Sequence, residues 1–305
     1  STPCGTLFPY TTLFRSIDAL IVDLQDAGTR VYTFFTTLSY CMEEAARQQK
    51  TVVILDRPNP VGGLQVEGNC LEPGYASFVG RYPIPMRHSL TIGEYARLIN
   101  AEFHIGCDLS VIAMKGWKRH MYYADTGLAW IPPSPNLPTP ASAMVYPGQV
   151  LWEGTNVSEG RGTTQPFELF GAPWMDTNAL KNALGETPFS GAVLRPAIFE
   201  PTSGKWAGRS CHGFQIHVTD REKYLPYQTS LALVGAVQKL FGNEFAWKMP
   251  PYEYEWEKLP FDLITGDAQI RVQLEAGVDA VEMARHWQPQ TEAYQQQIRP
   301  YLLYE

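Results

Sequence analysis

Apolar and polar positions change period several times along the chain, and each change marks an element. Residues 17–23 (IDALIVD) form a short apolar run closed by an acid, the pattern of a parallel strand buried on both faces. A turn follows at Gly28, and residues 34–49 then put Phe34, Leu38, Cys41, Met42 and Ala45 on one face of a helix. TVVILD (51–56) predicts a second buried strand, completing a βαβ unit with the right-handed crossover that such units almost always take. A loop rich in Pro and Gly runs from Arg57 to about Leu90. Thr91 and Glu94 then have the spacing of a capping box, opening a helix to about His104, and LSVIAM (109–114) predicts a third strand.

These elements are a piece of an open α/β sheet. WIPPSPNLPTP (130–140) is too rich in proline for a helix or a central strand and is expected to be a hinge. Beyond it, AVLRPAIF (192–199) and GFQIHVTD (213–220) predict strands, and TSLALVGAVQKLF (229–241) predicts a helix stopped by Gly242. Residues 279–303 read as helical with a break at Pro289. Strands and helices do not strictly alternate there, which suggests an α+β second domain. The expected organisation is a leader (1–16), a first domain (17–140) and a smaller second domain (141–305), with no internal repeat.

Composition narrows this picture. With 305 residues, 45% of them hydrophobic and 18% charged, the chain can bury a sizeable core. A formal charge of −7 argues against nucleic acid as the main partner, because phosphate binding needs a basic surface. No apolar run approaches the roughly 20 residues of a membrane span, so a soluble protein is expected. The five cysteines are widely spaced and define neither a zinc site nor a disulfide framework; Cys41 and Cys107, in apolar elements, are expected to be buried thiols. The opening STPCGTLFPYTTLFRS has one basic residue, Arg15, near its end, and Pro3, Pro9, Thr11 and Thr12 interrupt any apolar run. It is therefore not read as a secretory leader.

Acids and polar residues gather just after the predicted strands: Asp23, Gln25 and Asp26 after the first, Asp56, Arg57 and Asn59 after the second. Open α/β sheets bind ligands at the carboxyl ends of their strands. No GxGxxG follows a strand, so the usual dinucleotide fingerprint is missing. The densest polar stretch is LWEGTNVSEGRGTTQPFELFGAPW (151–174), where Glu153, Asn156, Glu159 and Arg161 lie among glycines. It is either an acid/base pair with an anion clamp or a polar loop whose side chains cap one another. In DLQDAGTRVYTF (23–34), Asp26 or Gln25 can orient a hydroxyl, Arg30 can meet a carboxylate and Tyr32 can stack; equally, Asp26 to Gly28 can be an Asx turn with Tyr32 packed. Asp56–Arg57 can be an ion pair stiffening a turn, and His88 is a lone loop histidine. There is no GxSxG elbow and no HExxH. Carboxylates, Asn, Arg, eight Trp and sixteen Tyr suit a sugar, either cleaved or simply bound.

In order along the chain, DLQDAGTRVYTFFTTL, VVILDRPNP, IPMRHSLTIGE, WIPPSPNLPT, EGTNVSEGRGTTQPFELFGAPW and RPAIFEPTSGKWAGRSCHGFQIHVTD resemble a bacterial peptidoglycan-recycling family. This is the family of exo-β-N-acetylmuramidases, which release N-acetylmuramic acid from the non-reducing ends of cell-wall fragments. The resemblance implies an incomplete Rossmann-like parallel-sheet domain followed by a smaller α+β domain, with the active site between them. It also implies a glycosidase without cofactor or metal, extracellular or periplasmic, whose partner is a muramic acid-containing glycan. By the same resemblance Glu153, Glu159 and Asp26 are catalytic candidates. Gln25, Arg30, Tyr32, Asp56, Asn59, His88, Asn136, Asn156 and Arg161 are substrate-binding candidates, with Arg30 or Arg161 meeting the lactyl carboxylate. Family members usually carry a PEHG motif before the first of these segments, and its Glu is their leading catalytic candidate. PEHG is not found here, and residues 1–16 read as adapter sequence joined to a truncated gene, so this chain is expected to cleave weakly or not at all. Ser89 in place of Gly, and Thr29 and Phe34 in the first motif, are mild departures. The alternative reading is a non-catalytic cell-wall sugar-binding protein.

Overall fold

The computed structural model describes residues 16–184 and 189–305. The expectation for the leader therefore falls almost wholly outside the described residues. In chain order the first half contains β1 (Ala19–Val22), α1 (Phe34–Arg47), β2 (Thr51–Leu55), β3 (Glu67–Cys70), β4 (Pro85–Arg87), α2 (Ile92–Glu102) and β5 (Asp108–Ile112). The second half contains α3 (Pro140–Gln149), β6 (Leu169–Ala172), α4 (Thr177–Leu184), β7 (Ala192–Phe199), β8 (Cys211–Val218), α5 (Pro226–Leu240), α6 (Pro260–Thr265), α7 (Ala268–Glu275) and α8 (Ala280–Ile298).

β1, β2 and β5 form a parallel sheet in the order β1-β2-β5, with Val22 beside Ile54 and Ile54 beside Val111. Residues on that face pack against α1 and α2: Val22, Val52 and Ile54 share one core cluster with Leu38, Met42, Tyr95 and Ile99. The other face is not covered among the described residues, and Ile21 (65% exposed), Leu55 (37%) and Ile112 (54%) look outward. The expectation of strands buried on both faces is thus corrected to burial on one. Thr91 and Glu94 make the predicted capping box, and the Asp56 carboxylate reinforces it by accepting from the Gly93 amide (2.8 Å) and the Thr91 hydroxyl (2.7 Å). An acid at a helix N-terminus meets unpaired N–H groups there.

The second half centres on an antiparallel sheet, β6-β8-β7, covered by α3 and α4, with α5 packed against α3. Its core is continuous with the first half: Ala27, Val31, Tyr32, Val61 and Met86 belong to the same cluster as Trp152, Phe170, Phe214 and Val234. The predicted break at Pro289 does not occur, and α8 runs through it. Met283 and Trp287 before the proline, and Tyr294 and Ile298 after it, are all buried. Anchoring on both sides outweighs the roughly 3 kcal/mol that an interior proline costs.

The last residues fold back onto the first sheet. Arg97 donates to the Tyr301 carbonyl (2.8 Å), the Leu303 amide donates to Glu94 (2.9 Å), and the Tyr304 hydroxyl donates to Asp56 (2.5 Å). Of the expected buried thiols, Cys107 is buried and Cys41 only partly so. No helix among the described residues is long and apolar enough to cross a membrane.

β3 and β4 form a hairpin in which Glu67 lies opposite Arg87, and both are buried. One Glu67 oxygen accepts from the Gln228 amide (2.8 Å), and the other has no hydrogen-bond partner. Burial pushes its carboxyl up to about 7 from 4.5, against the pull of the Gln228 amide and Arg87. A carboxyl raised on folding holds its proton more tightly in the folded state. It adds stability that is complete below about 4.5 and lost as the pH rises through about 7. Thermal denaturation from pH 5 to pH 8 is therefore expected to show a loss on the order of 3 kcal/mol that Glu67→Gln removes. Parallel profiles for the two proteins would contradict this.

Candidate active site

Two groups of polar side chains, one from each half, face one another through a line of aromatic rings. On the first side, Asp26 follows β1 and its carboxylate accepts from the Gly28 amide (2.5 Å), which is the Asx turn the sequence allows. Gly28 has φ +75°, and a Cβ there would meet Asn59 Oδ1 and Val61 Cγ2 at 2.4 Å, so only glycine closes this turn. Asp26 Oδ2 lies 3.5 Å from His88 Nε2. His88 Nδ1 accepts from the Leu90 amide (3.1 Å), which leaves the ring proton on Nε2, on the Asp26 side but not aligned for a hydrogen bond to it. Asp26 Oδ1 and His88 Nε2 are buried without a hydrogen-bond partner. Gln25 donates to the carbonyls of Asp26 and Pro58. The Tyr32 hydroxyl donates to the Pro133 carbonyl in the proline-rich connection (2.8 Å), and burial together with Asp26 pushes that phenol up.

The second side is the loop that follows α3. Glu153 sits in a 3-10 turn at Val150–Gly154, whose last glycine lies against the backbone of α6; a Cβ on Gly154 would come within 2.6 Å of Phe261 Cα. The loop is pinned to β6 by paired hydrogen bonds between Ser158 and Gly171. These contacts bring Glu153 and Glu159 to the same guanidinium: Arg161 Nη2 is 2.5 Å from Glu153 Oε1, and Arg161 Nε is 3.4 Å from Glu159 Oε1. The guanidinium also lies over the Phe167 ring, 5.1 Å from its centre. Phe167 meets Tyr146 edge-on (4.8 Å), and Tyr146 meets Tyr32 edge-on (6.0 Å), which carries the site across to the first side.

Three residues complete this cluster that sequence reasoning did not single out. Lys205 Nζ donates to Glu159 (2.8 Å) and to the carbonyls of Trp152 and Val157; burial lowers its pKa and Glu159 opposes the fall. The Tyr252 hydroxyl donates to Glu153 Oε2 (2.6 Å). Next to it, the Glu253 carboxyl is pushed up by desolvation and by the Glu153 charge, with φ +44° at Glu253 and +68° at Tyr254. The signal was the run YEYEWE at 252–257, where acids alternate with aromatics as in a sugar-binding wall.

Several expected ligands have structural duties instead. Arg30 is buried, and its guanidinium donates to the carbonyls of Asn69, Ile84, Ile264 and Thr265, so it does not reach a substrate carboxylate. Asp56 caps α2. The Asn59 amide bridges the Leu90 carbonyl and the Val61 amide, and the Asn156 amide bridges the Glu244 carbonyl and the Ala246 amide. Arg57 pairs at the surface with Asp23 (2.6 Å) and not with Asp56, so the expected Asp56–Arg57 ion pair is corrected: Asp56 turns its carboxylate to the α2 N-terminus. Asn136 lies apart, on the rim of a groove beside β7. Among the described residues, no three His, Cys, Asp or Glu side chains converge as metal ligands.

Comparison with known proteins agrees with these motifs. Residues 6–141 match the family model "Exo-beta-N-acetylmuramidase NamZ, N-terminal" and residues 144–304 match its C-terminal counterpart. The first match begins inside the stretch expected to be foreign. The chain is 42% identical over 296 residues to the peptidoglycan beta-N-acetylmuramidase NamZ of Bacillus subtilis (strain 168), covering 97% of this chain and 70% of that one. Two crystal structures of DUF1343 family proteins from Bacteroides fragilis NCTC 9343 share the fold. One has a TM-score of 0.88 at 33% identity, covering 98% of this chain and 78% of that one. The other has a TM-score of 0.77 at 31% identity, covering 96% and 77%. With both halves matched and the carboxylate–arginine loop within the second, the chain belongs to the exo-β-N-acetylmuramidase family of glycosidases.

Proposed function

We propose that the protein releases N-acetylmuramic acid from the non-reducing ends of peptidoglycan fragments, using the site where the 151–174 loop faces Asp26 and Tyr32. The observation that carries this reading is one guanidinium held between two carboxylates in a chain so similar to a muramidase. Arg161 spends Nε and Nη2 on the two acids, while Nη1 makes no hydrogen bond to the described residues and the side chain is about one-third exposed. A free N–H face on a fixed guanidinium suits the lactyl carboxylate that distinguishes muramic acid from N-acetylglucosamine.

Glycoside cleavage usually needs two carboxyl groups, one to donate a proton and one to stabilise or attack. Glu153, more open than Glu159 and bonded to a phenol, serves as the carboxylate that stabilises or attacks; Glu159 positions Arg161 and Lys205. Glu253, next in the chain to the Tyr252 that holds Glu153, has a carboxyl pushed up by desolvation and by the Glu153 charge, and it is the residue we assign as proton donor. Action on wall fragments goes with an extracellular or periplasmic location.

The test is release of chromophore from a chromogenic N-acetylmuramide. It is run with this chain and with a chimera in which the Bacillus relative's residues before the DLQD-like motif replace everything before Asp23 here. Release by either, with little from the matching N-acetylglucosaminide, is expected. Release by neither, or equal release from both sugars, would sink the reading.

A further inference from the structure

Beside the carboxylate cluster runs a groove of about 1000 Å³ whose floor is β7 and whose walls are two loops, 162–165 and 200–203. Each loop also reaches the cluster. Gly162 directly follows Arg161, and Ser203 lies two residues before Lys205. The loops are tied together where they meet, because both the amide and the hydroxyl of Thr202 donate to the Gly162 carbonyl (2.9 and 2.8 Å). A Cβ on Gly162, at φ +81°, would come within 2.5 Å of the Ser203 carbonyl oxygen, so the two walls close on each other only at this glycine. The groove therefore begins where the carboxylates end.

Its lining has the chemistry of a saccharide subsite. The side chains of Asn136, Thr164, Gln165, Glu200 and Ser203 reach the groove and make no hydrogen bond to the described residues. They offer both donors and acceptors to hydroxyl and acetamido groups. Arg195 is held by Gln215 and by His217 Nε2 (3.2 Å), which fixes a cation over the floor. Ile198 and Phe199 add an apolar strip, as sugar sites do. Arg195 to Phe199 span about 13 Å at the rise of a strand, on the order of two to three pyranose rings. The volume sits at the top of the roughly 300–1,000 Å³ range of small-molecule pockets, so more than one ring fits.

We infer that this groove holds the leaving portion of the glycan, the N-acetylhexosamine units on the reducing side of the bond that is cut. The inference rests on the proposed function for the direction of the chain: an exo-acting site closes around the terminal sugar, and the rest of the glycan leaves through an open channel. The groove is open to solvent along β7; of its unpartnered side chains, Thr164 and Gln165 follow Gly162 in the chain and Glu200 and Ser203 precede Lys205, while Asn136 comes from the proline-rich connection.

The test separates the groove from the chemistry. Binding of di-N-acetylchitobiose is measured by calorimetry for the unmodified protein, for Ser203→Trp, which fills the groove from an exposed position, and for Gln165→Ala/Glu200→Ala, which only removes partners. Both variants are expected to weaken binding by roughly tenfold. Release from the chromogenic N-acetylmuramide, whose leaving group is too small to use the groove, is expected to stay within about twofold of the unmodified protein. No binding of chitobiose by the unmodified protein, or unchanged binding by both variants, would overturn the inference. Loss of binding in the variants with no muramidase activity in any form would uphold the saccharide groove and sink the proposed reaction.

Discussion

Arg30→Ala is expected to lower the melting temperature on the order of 10 °C, because it strips four buried carbonyls of their donor in one step. Two of those carbonyls, Ile264 and Thr265, end α6, and the other two lie at Asn69 in β3 and Ile84 beside β4. The guanidinium thus joins segments more than two hundred residues apart. Burial lowers the Arg30 pKa, so the charge costs solvation, yet removing it leaves acceptors that water cannot reach. Losing one partner of such a buried set costs about 3–5 kcal/mol. Arg30→Lys is expected to recover little, since one ammonium cannot serve four carbonyls spread around a planar fork. Calorimetry decides the matter. An unchanged melting temperature with weakened muramide binding would return Arg30 to the role of a ligand.

Arg161→Ala is expected to act on catalysis while leaving the fold in place, since its side chain is partly exposed and its partners keep Lys205 and Tyr252. A charge-assisted hydrogen bond to the lactyl carboxylate is worth about 1.5–3 kcal/mol, so kcat/KM for a chromogenic N-acetylmuramide should fall roughly 10- to 100-fold. The corresponding N-acetylglucosaminide lacks that carboxylate and should change little, so the two rates converge. Glu153→Gln is expected to cut both substrates alike, by the roughly 10²- to 10⁴-fold typical of a lost acid–base group. Full activity in Glu153→Gln and Glu159→Gln would remove both from the reaction, and undiminished discrimination in Arg161→Ala would remove Arg161 from selectivity.

Much of the secondary structure was legible because local chemistry sets it. The Thr91–Glu94 box, the β-branched run of β2 and the apolar face of α1 each formed within a residue or two of expectation. What was not legible depended on distant partners. Pro289 looks like a break until Trp287 and Tyr294 are seen buried on either side of it. Arg30, a polar residue in a polar motif, resembles a ligand until the carbonyls of α6, far along the chain, are found around it. In the candidate site, Glu153, Glu159 and Arg161 fall within nine consecutive residues and could be read together; Lys205 and Tyr252 join them only through the fold of β6 to β8 and the segment before α6.

The tail that returns to the first sheet has a consequence for how the chain is made. Ribosomes add roughly 5–20 residues each second, and early segments ordinarily pack while later ones are still being added. Here Glu94, Arg97 and Asp56 wait for Leu303, Tyr301 and Tyr304, and the cluster around Leu38 and Ile99 waits for Tyr294 and Ile298. These strands and helices are thus completed only about two hundred residues after they are made. Until Tyr294 and Ile298 have been added, the apolar surface around Leu38 and Ile99 stays open.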